Sequence, residues 1–386
     1  MAGIYLHIPF CSQFCIYCNF YSVKGREQRE RYIQALYREI EERKDFFKNI
    51  GVRPQTIYFG GGTPSLFTPA QLGSIYAHIC KVFDFNPVEA TIEVNPNDIT
   101  AQYARGVAAA GFNRVSMGVQ SFVDSHLEWM NRRHKGDEAV EAFYHIRGAG
   151  ITNISLDLIF GYSLLKQQQW EYNISKMVSL SPEHISAYQM SIETGSPLGR
   201  MYDKGEYELP PDNICMEQYS TLQRMLHQGG YEQYEISNFA RRDENTGELK
   251  VSRHNSSYWT KEPYLGLGPA AHSYNGTHRF WNGDNLSAYC KYYLGGPAQD
   301  TAKLQNRVMG SEELSERDMF NESIMLGLRR VEGVDTAVLN RNFLMEIKGD
   351  MAHHCRLGNL IADGSKIRIP SDKLFVSDGI IRDLFI

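Results

Sequence analysis

The chain alternates between two kinds of segment, and that alternation limits the folds open to it. From residue 4 to about residue 228, an apolar run of strand length is followed, six times, by a run of helical length. The strand runs are 4–8, 56–59, 90–94, 114–118, 154–159 and 184–190. The first helix is expected over 26–47, with Ile33, Leu36, Tyr37 and Ile40 at helical spacing. Thr68-Pro69 opens the second as cap and first-turn proline. Further helices are expected over 100–110, 137–146, 167–180 and 212–228. Repeated strand-then-helix units give a parallel α/β sheet with right-handed crossovers. An open sheet and a partial barrel both satisfy the pattern. In either, ligands collect at the C-terminal ends of the strands.

The rhythm then breaks. Residues 229–300 are rich in Tyr, Gly and Asn, with short strands expected near 231–237 and 265–274. They read as an extension closing one side of the sheet. Residues 301–386 read as helices ending in a hairpin over 366–376, a small winged-helix-like α+β domain. Three segments are therefore expected: 1–228, 229–300 and 301–386.

Three cysteines, Cys11, Cys15 and Cys18, fall within eight residues where the first strand ends. Their C-x3-C-x2-C spacing is one ligand short of a tetrahedral set, and position 20 is Phe. Three thiolates on a cuboidal iron–sulfur cluster leave one iron open to a ligand that is not protein, which makes the deficit a reaction site. The alternatives are buried free thiols and a zinc site completed by His7. Cys80, Cys215, Cys290 and Cys355 are scattered and read as buried thiols. Seven cysteines at irregular spacing do not suggest a disulfide framework, and a reducing cytoplasm fits. A net charge of −5 argues against nucleic acid as a partner. No run of about 18 apolar residues predicts a membrane span, and no signal peptide is read at the N-terminus. Contact with a membrane surface stays open.

Polar residues mark the other strand ends. Gly60-Gly61-Gly62-Thr63-Pro64 follows the second strand, where glycines let backbone approach a ligand and free N–H and C=O groups could bind an amino acid. The alternative is a tight turn. Glu93 ends the third strand and Gln120 the fourth. Arg132 can grip a carboxylate bidentately, or lie on an exposed basic face. Asp157 sits inside an apolar run and needs a partner. Further on, His254-Asn-Ser-Ser-Tyr258-Trp259 places an imidazole beside two rings, which suits axial ligation and stacking of a porphyrin.

The stretch from Tyr5 to Phe20 resembles the radical S-adenosylmethionine (SAM) superfamily. Tyr5, His7, Ile8, Pro9, Phe10 and Asn19 narrow the resemblance to the branch holding oxygen-independent coproporphyrinogen III dehydrogenase and the heme chaperones, and it covers nearly the whole chain. The resemblance implies a partial (β/α)6 TIM-like barrel. It implies a 4Fe–4S cluster on Cys11, Cys15 and Cys18, with the amino and carboxylate groups of SAM on the fourth iron. It assigns Tyr5, Tyr17, Gly61, Gly62, Thr63, Glu93, Gln120, Arg132 and Asp157 to SAM. The segment from His254 resembles the HNxxYW motif of the chaperones, which the dehydrogenases lack, and implies heme as cargo with His254 as ligand. His272 lies in another family-like segment. The dehydrogenase pattern has a further Cys at the position of Phe20, and an N-terminal arm that this sequence does not show. The expectation is a carrier delivering heme to heme-accepting proteins, with oxidative decarboxylation of coproporphyrinogen as the alternative.

Overall fold

The structure, a computed structural model, describes residues 1–25, 27–295 and 309–386. Six parallel strands run in chain order: β1 (Ala2–Ile8), β2 (Pro54–Gly61), β3 (Glu89–Val94), β4 (Arg114–Gln120), β5 (Asn153–Phe160) and β6 (His184–Gln189). Each pairs in parallel with the next. Beyond β6 lie β7 (Glu232–Gln233) and β8 (Asn238–Ala240), with β8 antiparallel to β6. On the other side β9 (Tyr264–Leu267) runs parallel to β1, followed by β10 (His272–Tyr274), β11 (His278–Asn282) and β12 (Met309–Glu313) as an antiparallel meander. Strands β1 to β12 form one sheet that, among the described residues, does not close.

The strands carry an alternation that their apolar content conceals. Ile4, Leu6 and Ile8, Ile57 and Phe59, Val115, Met117 and Val119, and Leu156 and Leu158 are buried in the main core. The intervening residues project from the opposite face. They include Tyr58, Glu93, Arg114, Ser116, Asp157 and Ser186, all lining one cavity. The apolar set binds the crossover helices and the polar set faces inward.

The helix ends follow their local chemistry. Thr68 and Gln71 form a capping box ahead of the helix Pro69–Val82, and Thr100 caps Ala101–Ala109. The expected helix over 26–47 is two, Arg29–Glu42 and Phe46–Asn49, and Arg26 lies outside the described residues. The strand expected near 231–237 is only Glu232–Gln233, and the hairpin is β14 (Ile361–Asp363) with β15 (Lys366–Arg368). These two join β13 (Val334–Asp335) in a separate three-stranded antiparallel sheet. Residues 371–376, expected as strand, form a 3-10 turn, because Pro370 ahead of them has no N–H for a ladder. The expected segment boundary at 300/301 lies outside the described residues. No described helix is long and apolar enough to cross a membrane.

A buried carboxylate ties the extension to the first helix. Glu39 accepts from Gly268 N (2.7 Å), Asn282 Nδ2 (2.6 Å) and Tyr289 Oη (2.6 Å). It has no exposed surface. Glu39→Ala strands three buried donors and should cost roughly 3 kcal/mol or more of unfolding free energy. Urea denaturation checks this, with Glu39→Gln recovering part of the loss.

Candidate functional site

The C-terminal ends of the strands open onto a cavity of about 1090 Å³. Cys11, Cys15, Tyr17, Cys18, Gly62, Thr63, Glu93, Gln120, Arg132 and Asp157 all line it. Tyr5 and Gly61, expected beside them, sit behind this wall: Tyr5 Oη bonds His7 Nδ1 (3.2 Å) and Gly61 N donates to Glu93 (3.2 Å).

The cysteine loop is pinned from both sides. Ile16 N donates to Met130 O, Asn131 Nδ2 to Phe14 O, and Leu198 N to Ile16 O. Thr63 Oγ1 lies 3.5 Å from Cys11 Sγ and accepts from Asn95 Nδ2. Arg132 donates to Cys15 Sγ (3.5 Å), Asn95 Oδ1 (2.8 Å) and Gly118 O (2.6 Å). A cation therefore stands beside the three thiols. Burial pushes the Cys11 thiol up and that of Cys18 to about 11. Hydrogen bonds from Thr63 and Ser22, and then the Arg132 charge, oppose this at Cys11, and the Phe20 backbone opposes it at Cys18; positive charge placed against the thiols would lower them further.

The glycine segment acts differently from the expectation. Its amides are spent within the protein: Gly62 N on Ile8 O and Thr63 N on Phe10 O, both at 2.8 Å. A Cβ at Gly62 would stand 2.7 Å from Phe10 O, so the glycine lets β2 dock against the cysteine loop. Gly61 holds φ +104° against the His7 ring. The contribution left to a ligand is carbonyl oxygen.

Charges cluster deeper in. Glu93 accepts from Tyr58 Oη (2.8 Å) as well as Gly61 N. Burial raises its carboxyl to about 7, against the Tyr58 bond; Asp157 raises it further and Arg114 opposes. Asp157 takes bonds from Ser116 and Ser155 at 3.3 to 3.5 Å. Burial lifts it to about 6, while Ser186, Arg114 and Ser116 pull it down. Arg114 is 1 % exposed, and its Nε and Nη1 have no hydrogen-bond partner. Gln120 sits at φ +65° beside a break in the β4–β5 register, a strained position that turns it into the cavity. Sequence reasoning missed Tyr58, Asn95 and Arg114. Tyr58 and Arg114 lay inside apolar runs, where only their shared parity with Glu93 and Asp157 marked them.

The histidines separate. His7 lies outside the cavity lining, with both ring nitrogens engaged, by Tyr5 Oη and Tyr21 O, so it does not complete a zinc site with the cysteines. His254 is fully buried, with Nδ1 on Thr56 Oγ1 and Nε2 on Tyr258 Oη, both at 2.8 Å. In this arrangement it offers no free nitrogen to an iron. His272 is exposed on β10, its ring 6.0 Å from that of Trp281.

The radical SAM superfamily profile matches residues 5–171. Heme chaperone HemW of Bacillus subtilis (strain 168) is 34% identical over 340 residues, covering 86% of this chain and 85% of that protein. Its namesake in Mycobacterium tuberculosis (strain CDC 1551 / Oshkosh) is 30% identical over 377 residues, covering 94% and 93%. Among solved structures, the coproporphyrinogen III oxidase HemN from Escherichia coli superposes with a TM-score of 0.82 at 23% identity, covering 100% of this chain and 90% of that one, a likeness of fold. The chain belongs to the radical SAM superfamily and, within it, to the HemW family.

Membership implies a 4Fe–4S cluster and SAM, and the residues fit both. Three free thiols face one cavity beside Arg132. Among the described residues no three His, Cys, Asp or Glu groups close around a single ion, whose thiolates would stand about 3.8 Å apart. Glu93 and Asp157 supply the carboxylates that an amino group, a sulfonium and ribose hydroxyls call for. Cys11, Cys15 and Cys18 would hold the cluster, which would supply an open iron for the amino and carboxylate groups of SAM and a source of one electron.

Protons compete with a cationic ligand for Glu93 and Asp157. Both carboxyls are raised, so the ionised forms are lost as pH falls through about 7 and about 6. SAM affinity of the cluster-loaded protein should therefore weaken between pH 8 and 5.5, measured by equilibrium dialysis. Glu93→Gln should remove the upper part of that dependence.

Proposed function

We propose that this protein carries heme to heme-accepting proteins, with a 4Fe–4S cluster and SAM held in the barrel as the controlling site. The observation that carries this reading is the match to proteins named heme chaperone HemW over 86% and 94% of the chain. Cys11, Cys15 and Cys18 are the cluster ligands. Gly62, Thr63, Glu93, Gln120, Arg132 and Asp157 are the SAM wall, with Tyr17 beside the cluster and Tyr5 and Gly61 supporting from behind.

The division of labour follows three segments. Residues 1–228 form the cofactor barrel, 229–300 the extension bearing the HNxxYW motif, and 301–386 the C-terminal domain. Phe20, where the dehydrogenase pattern has a further cysteine, is 67% exposed at the cavity mouth and supplies no ligand. For the heme itself, His254 would have to give up two hydrogen bonds and a buried position. The exposed His272 beside Trp281 needs no such rearrangement and is the better axial candidate.

Anaerobic reconstitution should give about four irons per chain, lost in Cys15→Ala. The same protein should bind hemin with a shifted Soret band, and His272→Ala should alter that band while leaving iron content unchanged. Coproporphyrinogen supplied with SAM and a reductant should not become protoporphyrinogen. Its conversion, together with heme binding no better than that of an unrelated protein, would replace the carrier by the dehydrogenase.

A further inference from the structure

We infer that His254 and Tyr58 form a rigid prop beneath the SAM pocket that sets the position of the Glu93 carboxylate. The inference rests on the reading of Glu93 as a SAM contact, and it gives the HNxxYW motif a task other than ligating heme.

The prop begins outside the barrel. The short helix Arg253–Trp259 packs against β1 and β2, and its Asn255 reaches the cavity lining. Ser252 caps it by accepting from Asn255 N, and the Glu89 carboxylate takes Arg253 N (3.0 Å) and His254 N (2.9 Å). The helix start is thereby fixed to the first residue of β3.

The imidazole is fixed in turn. Thr56 holds Nδ1 and Tyr258 holds Nε2, so the ring cannot rotate without breaking both bonds. The closeness demands a glycine in β1: a Cβ at Gly3 would meet Thr56 Oγ1 at 2.6 Å and His254 Nδ1 at 2.8 Å. Burial first, then Arg114, drive the imidazole down to about 3, so it stays neutral across the physiological range.

The clamped ring then supports Tyr58. The two rings stack with centroids 5.2 Å apart and planes at 30°. The far end of Tyr58 donates to Glu93 Oε1 at 2.8 Å. Glu93 feels Asp157 from β5 pushing and Arg114 from β4 pulling, and neither makes a hydrogen bond to it. Among the described residues, only Tyr58 Oη and Gly61 N give it direction. With the prop gone, the carboxylate keeps its charge partners and loses its place. His254 and Tyr58 are thus positioning residues, acting on the cofactor through Glu93.

The test uses full-length, cluster-loaded protein, with SAM affinity by equilibrium dialysis, hemin by its Soret band and folding by thermal melting. Tyr58→Phe keeps the stacked ring and the core volume, so it reports even if His254→Ala fails to fold. Each single variant should raise the SAM Kd about ten-fold, the loss of one hydrogen bond to a charged group. The double variant should be no weaker than the worse single one, because both changes break one prop. His254→Asn, which can still bond Thr56, should recover part of the loss. The hemin spectrum should be unchanged in Tyr58→Phe. Unaltered SAM affinity in Tyr58→Phe, or fully additive losses in the double variant, would overturn the inference. A His254→Ala protein with normal SAM affinity and an altered hemin spectrum would return His254 to the heme. Glu93→Gln separates the two levels: if it binds SAM normally, the pocket reading itself falls.

Discussion

Charge buried inside an unclosed sheet is the constraint on which this structure turns. Glu93, Arg114 and Asp157 stand on neighbouring strands, Arg114 fully buried and the two carboxylates half-buried on the cavity wall, yet no direct ion pair joins Arg114 to either carboxylate. Such an arrangement is costly unless further groups complete it. Serines 116 and 155 and Tyr58 provide part of what Glu93 and Asp157 need. The remainder is positive charge from a ligand, and SAM brings a sulfonium, with amino N–H and ribose O–H groups as further donors. The same reasoning applies at the rim, where burial holds the Cys11 and Cys18 thiols against ionisation unless positive charge such as iron is placed against them.

The rest of the molecule keeps that interior in register. The outer, apolar half of each strand binds the helices, so the inner half is free to be polar. Glycine at position 62 brings β2 within reach of the cysteine loop, and Thr63 links that loop to Asn95 and Arg132. At the opposite end, the helix from Arg253 closes the floor, and Glu39 fastens the extension carrying it to the first helix. Cluster site, SAM wall and HNxxYW helix are thus one connected assembly.

Much of this was legible from the residues. The six strands were found within a few positions, because short apolar runs between capped helices are a local signal. Cys11, Cys15 and Cys18 stood out by spacing, and the structure brings them to one cavity. Asp157 did so by standing where an apolar run has no use for it. What escaped depended on direction. Tyr58 and Arg114 looked like ordinary strand residues, since the facing of a strand residue is settled only when neighbouring strands are in register. The surroundings of His254 escaped for a related reason: its spacing to Tyr258 was visible, but Thr56, nearly two hundred residues away, holds the other nitrogen. The hairpin near the C-terminus was placed too late, because 361–363 offers too little apolar pattern to mark a strand.

The central claim is that three cysteines leave one iron of a cluster free for SAM, over a wall of carboxylates built to receive it. Mössbauer spectroscopy of reconstituted, iron-enriched protein tests this most directly. Adding SAM should change the parameters of one iron in four and leave the other three as they were, and Asp157→Ala should require more SAM for the same change. Four irons indifferent to SAM at saturating concentration would contradict the account.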